Sequence, residues 1–96
     1  MVVIDPPVDW GAPFNARYGP SSHLMSTLPG AEGARELAEF VARAGIPGRP
    51  HHPGTWREHY DVVGPWFDIA KDAGAQALDR AGLVRVLKAR REAMGR

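Results

Sequence analysis

Histidines and aspartates are the side chains of this sequence best suited to chemistry, and most of them fall in or beside segments that we predict to be loops. The candidate catalytic residues are Asp5, His23, His52, His59 and Asp61. Imidazole changes its charge near neutral pH, and imidazole and carboxylate together ligate divalent transition metals. The residue types therefore predict acid–base catalysis or a divalent metal such as zinc or manganese, with His23, His52, His59 and Asp61 as its ligands.

The spacing of the histidines does not define a metal site by itself. His51, His52 and His59 match no zinc-binding pattern in which two ligands stand at positions i and i+4 of one helix. The ligands would have to come together in space from separate loops over one edge of the sheet. The alternative is that the histidines only hydrogen-bond proline-rich loops to the sheet, and the sequence leaves both interpretations open.

Two aspartates have positions that suggest a role. Side chains alternate along a strand, so His59 and Asp61 share one face while Tyr60 points to the other and into the core. A carboxylate beside an imidazole orients the ring for metal binding or base catalysis. Asp5 follows the first predicted strand, at the sheet edge where α/β proteins often bind ligands, but it is equally suited to an Asx turn before Pro6.

The first half of the chain predicts one strand, one long loop and one helix. The β-branched run at 2–4 is typical of a buried strand, and the Pro-Pro pair that follows ends it. Residues 8–28 show no sustained period and are predicted as a loop with aromatic anchors, with at most a brief helical turn or hairpin at 22–26. Apolar residues then recur at helical spacing over 37–44, and Gly45 ends this helix.

The second half predicts two more helices and short strands. Three prolines within 46–53 allow only a short strand there, and 59–63 alternates as an extended segment. Proline at the first helical position opens a helix within 64–74, and residues 75–78 form a plausible strand. Asp79 is the predicted N-cap of the last helix.

This alternation of strands and helices predicts the α/β class. We expect a small two- or three-layer sandwich of three or four short, mostly parallel strands with about three helices. Because 96 residues leave no room for a second hydrophobic core, we expect a single domain over residues 1–96.

The composition excludes several function classes. The sequence has no cysteine, which excludes disulfides, thiolate metal sites and a cysteine nucleophile. It also lacks a P-loop, a GxGxxG fingerprint and a GxSxG elbow. The N-terminal segment has no signal-peptide pattern, and no apolar run approaches the roughly 20 residues of a membrane span. We therefore expect a cytoplasmic protein with no membrane partner.

Basic residues are concentrated at the C-terminal end. The net charge is +1, but residues 80–96 contain six basic residues and one acidic residue. Such a helix can attract a phosphate-bearing small molecule or nucleic acid, and it also complements the helix dipole without any partner. Trp56 beside Arg57 belongs to an aromatic and arginine mixture typical of single-strand binding, but large loop aromatics are more often packing anchors.

Several short runs occur in a recognisable order along almost the whole chain. They are Val3-Ile4-Asp5-Pro6-Pro7, Trp10, Ser22-His23-Leu24-Met25-Ser26, Ala44-Gly45-Ile46-Pro47, His52 and Arg57-Glu58-His59-Tyr60-Asp61-Val62. In this order the sequence resembles a bacterial and phage family, domain of unknown function 4031. The resemblance implies a compact cytoplasmic domain with His23, His52, His59 and Asp61 near one another, and it names no reaction. Thr27, where an aspartate is frequent, and the inserted segment 53–56 differ from the family pattern.

The sequence supports two main functional hypotheses. The first is a small metal- or histidine-dependent hydrolase acting on a phosphoester or nucleotide substrate. The second is a non-catalytic nucleic-acid or protein binding module that uses the basic C-terminal helix. A homo-oligomeric structural protein is a third possibility. The distances among the candidate histidines and aspartates distinguish the first hypothesis from the others.

Overall fold

The computed structural model describes residues 1–7 and 20–95, and these residues form a four-stranded mixed sheet and three helices. The elements in chain order are β1 (Val2–Ile4), β2 (Ser21–Ser26), α1 (Gly30–Ala44), β3 (Tyr60–Val63), α2 (Trp66–Asp72), β4 (Gln76–Ala77) and α3 (Arg80–Ala93). The order of strands across the sheet is β3-β2-β1-β4. The predicted α/β class, with its number of strands and helices, is confirmed.

Helices cover both faces of the sheet, because the strands divide their apolar side chains between two cores. Ile4 and Leu24 point into the larger core, which α1 and α2 complete. Val3 and Met25 point the other way and pack against Leu83 of α3. Alternation along each strand thus produces a three-layer sandwich.

The helix ends follow the local signals of the sequence. Gly45 terminates α1 in the left-handed conformation with φ 74°, which glycine adopts without the steric cost of a Cβ. Asp79 caps α3 by accepting a hydrogen bond of 2.7 Å from the backbone N–H of Gly82. Both predicted helix boundaries are confirmed, and the cap at Asp79 defines where α3 begins.

The pairing of the strands differs from the prediction of a mostly parallel sheet. β1 and β4 are parallel, but β1 pairs with β2 and β2 pairs with β3 in antiparallel fashion. The reason is β2, which was expected to be part of a loop and which supplies both antiparallel pairings. The sheet is therefore mixed.

The strand β2 also corrects the prediction of one continuous loop over 8–28. Ser22 and Ser26 are each 1% exposed, so small hydroxyl residues occupy buried positions where an apolar residue would have signalled a strand. His23 consequently lies on a strand and not in a loop. Residues 8–19, with the aromatic anchors predicted there, lie outside the described residues.

The segment 46–53 forms no regular strand. Its pairing is limited to one antiparallel bridge between His51 and His59, made by backbone hydrogen bonds of 2.7 and 3.2 Å. The prolines of this segment remove the donors that a longer ladder needs. The bridge nevertheless brings two of the four histidines side by side at the start of β3.

Candidate functional site

Asp5, directly after β1, forms a part-buried pair with His23 in the middle of the neighbouring strand β2. Asp5 is 3% exposed. One carboxylate oxygen, Oδ1, accepts a 2.6 Å hydrogen bond from the backbone N–H of His23, and Oδ2 lies 2.9 Å from the ring Nδ1. A carboxylate only accepts, so the proton of the neutral ring is on Nδ1 and the lone pair is on Nε2. Asp5 therefore fixes both the tautomer and the orientation of His23.

His59 is held in the same tautomer by a backbone carbonyl. Its Nδ1 lies 2.6 Å from the carbonyl oxygen of Arg57, which can only accept a hydrogen bond. The other ring nitrogen, Nε2, lies 3.1 Å from Oδ1 of Asp61. In the neutral ring this places a nitrogen lone pair against a carboxylate oxygen. Such a contact is favourable only when a proton or a cation lies between the two atoms.

The sheet register brings His23 to the same place. His23 and Asp61 are directly opposite each other in the antiparallel pairing of β2 and β3, and such residues lie on one face of the sheet. The rings of His23 and His59 are 5.0 Å apart between centroids. Ligand atoms of His23, His59 and Asp61 all lie within 4.8 Å of one another. These three residues are called the triad below.

A further histidine supports the carboxylate of the triad. Nε2 of His51 lies 3.3 Å from Oδ2 of Asp61, the oxygen that His59 does not contact. The His51 ring also stacks on His59 with 5.4 Å between centroids. His51 thus orients Asp61 and leaves Oδ1 of Asp61 directed to the histidines of the triad.

The charges of the site shift two pKa values. The hydrogen bond to Asp5, strengthened by the charge of Asp5, raises the pKa of His23 above its usual value, although burial acts in the opposite direction. The contact with His59, which is a hydrogen bond when the His59 ring is protonated, lowers the pKa of Asp61, and the nearby charges of His51 and His23 add to the effect. Asp61 is therefore an anion at neutral pH and available to a cation.

A groove runs from the triad along α3. It has a volume of about 220 Å³, and its lining includes His23, His59, Met25, Leu83 and Leu87, together with His52, Trp56 and Arg57. A second cavity of about 400 Å³ shares His52, Trp56 and Arg57 with it, so the two adjoin. The triad therefore borders a space with an apolar floor and a partly basic wall.

A buried arginine holds the loop that forms this wall. Arg90 of α3 is 3% exposed, and its guanidinium donates to the backbone carbonyls of Ser26, Glu58 and Thr55 at 3.3, 3.1 and 3.4 Å. Burial lowers the pKa of Arg90, an effect that the charge of Glu58 opposes. Arg90 thus links the loop to both β2 and α3 and does not present its charge to solvent.

The structure brings together Asp5, His23, His59 and Asp61 of the predicted site residues. His52 lies apart from the triad, on the groove, with 5.9 Å between its ring centroid and that of His59. It has a positive φ of 52°, which the loop geometry imposes on it. Its predicted role as a ligand or acid–base group stays a prediction.

Sequence reasoning did not select His51 or Arg90 as site residues. His51 differs in no sequence property from its neighbour, and only its bridge with His59 turns it towards Asp61. Arg90 follows the basic pattern of the last helix, which is typical of a solvated face. Arg90 lies one helical turn after Val86 and Leu87, so helical periodicity places it on the apolar side of α3. This position was the signal that could have identified Arg90 as buried.

Comparison with known proteins identifies the family of the chain. The family described as "Protein of unknown function (DUF4031)" matches residues 2–90, and the chain belongs to it. The resemblance seen in the sequence is confirmed. No curated protein and no solved structure gives a significant match. Among the described residues, no helix is both long and apolar enough to cross a membrane.

Proposed function

We propose that this protein is a metal-dependent hydrolase of phosphate esters, with the triad of His23, His59 and Asp61 as ligands of a divalent cation. The proposal rests mainly on one observation. In their neutral form both histidines of the triad direct an Nδ1 proton to an acceptor, so both Nε2 lone pairs are available to a cation, beside a carboxylate oxygen within 4.8 Å. Two imidazoles and one carboxylate suit zinc, manganese and iron.

The contacts behind the triad support a metal site. Metal-bound histidines generally donate their second N–H to a carboxylate or a backbone carbonyl. His23 makes the first kind of contact, with Asp5, and His59 makes the second kind, with Arg57. The alternative interpretation, histidines that only attach loops to the sheet, requires a protonated His59 that forms an ion pair with Asp61 through Nε2.

The charge of the site favours a phosphate as the substrate group. Arg57 lines the groove beside the triad, and Arg80 at the start of α3 acts electrostatically on His23. The formal charges of these two arginines balance those of Asp5 and Asp61. A divalent cation would add two positive charges, which suit the charge of roughly −1.5 to −2 on a phosphate monoester at pH 7.

Hydrolysis at this site would join a water oxygen to phosphorus and break the ester P–O bond, and the leaving oxygen would take up a proton. A divalent cation supplies a polarised phosphoryl oxygen and an activated water. His52 faces the groove and is our candidate donor of the proton. Asp5 and His51 would act by holding His23 and Asp61 in place.

Calorimetric titration with zinc and with manganese tests this proposal. We expect one equivalent of metal to bind the wild-type chain, and His23→Ala or His59→Ala to weaken binding by at least 10-fold. Phosphatase activity on a panel of phosphate monoesters should require the metal. His52→Ala is the matched control because it removes an imidazole outside the triad. Equal metal binding by all four proteins would overturn the proposal.

The alternative of a nucleic-acid binding module through α3 has less support. Arg90, one of the basic residues on which that hypothesis depended, is buried and bound to backbone carbonyls. The remaining basic residues of α3 are compatible with weak binding to phosphates. An affinity for oligonucleotides that falls steeply with added salt would support the nucleic-acid binding hypothesis.

A further inference from the structure

We propose that the groove beside the triad binds the planar ring of a nucleoside monophosphate whose phosphate lies at the triad. This inference rests on the proposed function and adds to it the class of the substrate. It starts from the fact that the same groove of about 220 Å³ is lined by His23 and His59 at one end and by apolar side chains elsewhere.

The walls of the groove suit a flat apolar group. Met25, Leu83 and Leu87 form its floor, and Trp56 contributes an indole ring. Leu83 and Met25 belong to the small core under α3, so these walls are fixed by packing. Met25 and Leu83 are already buried, while Leu87 and Trp56 are partly exposed. A phosphate or a simple sugar phosphate would leave Leu87 and Trp56 in water, whereas an aromatic ring would cover them.

Arginines beside Trp56 add a contact that favours nucleobases. The guanidinium of Arg57 lies 5.7 Å from the centre of the Trp56 ring, and that of Arg91 lies 5.4 Å from it. Bases stack on guanidinium and indole planes, and the positive charge of the two guanidinium groups also attracts the phosphate of the same molecule. One ligand that carries both a planar ring and a phosphate satisfies both features.

The available space agrees with a mononucleotide. The groove adjoins the cavity of about 400 Å³ through His52, Trp56 and Arg57. Together the two spaces fall in the range of roughly 300 to 1,000 Å³ that is typical of small-molecule sites. The ring and sugar therefore have room next to a phosphate held at the triad.

Binding measurements with two related ligands test this inference. Adenosine 5′-monophosphate and ribose 5-phosphate are titrated into the full chain by NMR, once with EDTA and once with zinc. We expect the nucleotide to bind at least 10-fold more tightly in both conditions. Trp56→Ala should reduce the affinity for the nucleotide by roughly 5- to 150-fold, the range of one lost stacking contact, and change that for ribose 5-phosphate by less than 2-fold.

Two further variants test whether the effect of Trp56→Ala comes from a general loss of structure. Trp56→Phe retains an aromatic ring and should restore most of the nucleotide affinity. Val84→Ala, which truncates an exposed apolar residue of α3 outside the groove, should leave both affinities unchanged.

The outcomes separate this inference from the proposed function. Equal affinity for both ligands, together with zinc-dependent hydrolysis of ribose 5-phosphate, would overturn the inference alone. Selective binding of the nucleotide without any metal-dependent hydrolysis would overturn the proposed function and leave the ring-binding groove in place. An equal effect of Trp56→Ala on both ligands would also contradict the inference.

Discussion

The Nδ1 atoms of His23 and His59 determine what the site can do. Each is bound to an acceptor, Asp5 in one case and the carbonyl of Arg57 in the other, so both rings direct their Nε2 atoms to the same region. Neither pairing can be read from the sequence. Asp5 is 18 residues from His23, and a carbonyl has no sequence signature at all.

The first prediction at this scale concerns the titration of His23. Because Asp5 stabilises the charged imidazolium, His23 should titrate above the usual value of about 6.5. Asp5→Asn should lower this pKa, as followed by NMR of the ring. Asp68→Asn, a remote substitution on α2, is the control and should not change it. A wild-type His23 that titrates at or below 6.5 would contradict the assignment.

The same shift has a consequence for stability. Because the pKa of His23 is higher in the folded chain than in the unfolded chain, protonation of His23 stabilises the fold. This stabilisation is complete at a pH below the pKa of His23 in the unfolded chain. It is lost as the pH rises through the pKa of His23 in the folded chain. Asp61 acts in the opposite sense because its pKa is lowered. The stabilisation from ionised Asp61 is present at a pH above the pKa of Asp61 in the unfolded chain, and it is lost as the pH falls through the pKa of Asp61 in the folded chain.

His52 provides the second prediction. If it donates the proton to the leaving group, His52→Ala should leave metal affinity unchanged and reduce the hydrolysis rate by about 100-fold or more, the usual contribution of a general acid. Rates on the best phosphate monoester, measured with saturating metal, check this. A parallel loss of metal would instead make His52 a ligand, as the sequence suggested.

At the scale of elements, the sequence predicted those with strong local signals and missed the one without them. The periodic apolar residues of α1 and the N-cap Asp79 of α3 were sufficient to define both helices. The strand β2 was missed because Ser22 and Ser26 fill buried positions with small polar side chains. That the histidines and aspartates of the site lie close together was a hypothesis. It depended on strand pairings between distant segments, which local sequence patterns do not encode.

Arg90 supplies the prediction for these elements. Lysine has a single ammonium and cannot span the three carbonyls that the guanidinium reaches, so Arg90→Lys should lower the free energy of unfolding by roughly 1.5 to 3 kcal/mol. Urea unfolding measures this. Arg85→Lys, on an exposed position of the same helix, should change it by less than 0.5 kcal/mol. Equal effects would show that Arg90 does not hold the loop.

At the scale of the whole molecule, the site lies on the face of the sheet that α3 covers, beyond the end of the contact between α3 and the strands in the part of the chain that the structure describes. Helix α3 packs over Val3 and Met25, while His23 and Asp61 lie further along the same face towards β3. The loop before β3, which Arg90 ties down, closes this part of the face and forms the groove. Among residues 1–7 and 20–95, the candidate ligands thus lie beside this groove.

Metal binding should therefore be visible in the stability of the whole chain. A ligand that binds only the folded state stabilises it by about 2.7 kcal/mol at 100 times its Kd. We expect zinc at that concentration to raise the Tm of the wild-type chain by several degrees and to leave that of His59→Ala almost unchanged. An equal rise in both proteins would point to binding elsewhere.

The central claim is that His23, His59 and Asp61 bind one divalent cation, and X-ray absorption at the zinc edge tests it most directly. We expect two imidazole nitrogens at about 2.0 to 2.1 Å and a carboxylate oxygen at about 2.0 to 2.2 Å from the metal. One imidazole should disappear from the spectrum in His23→Ala. A spectrum without histidine scattering, or one that His23→Ala and His59→Ala leave unchanged, would contradict it.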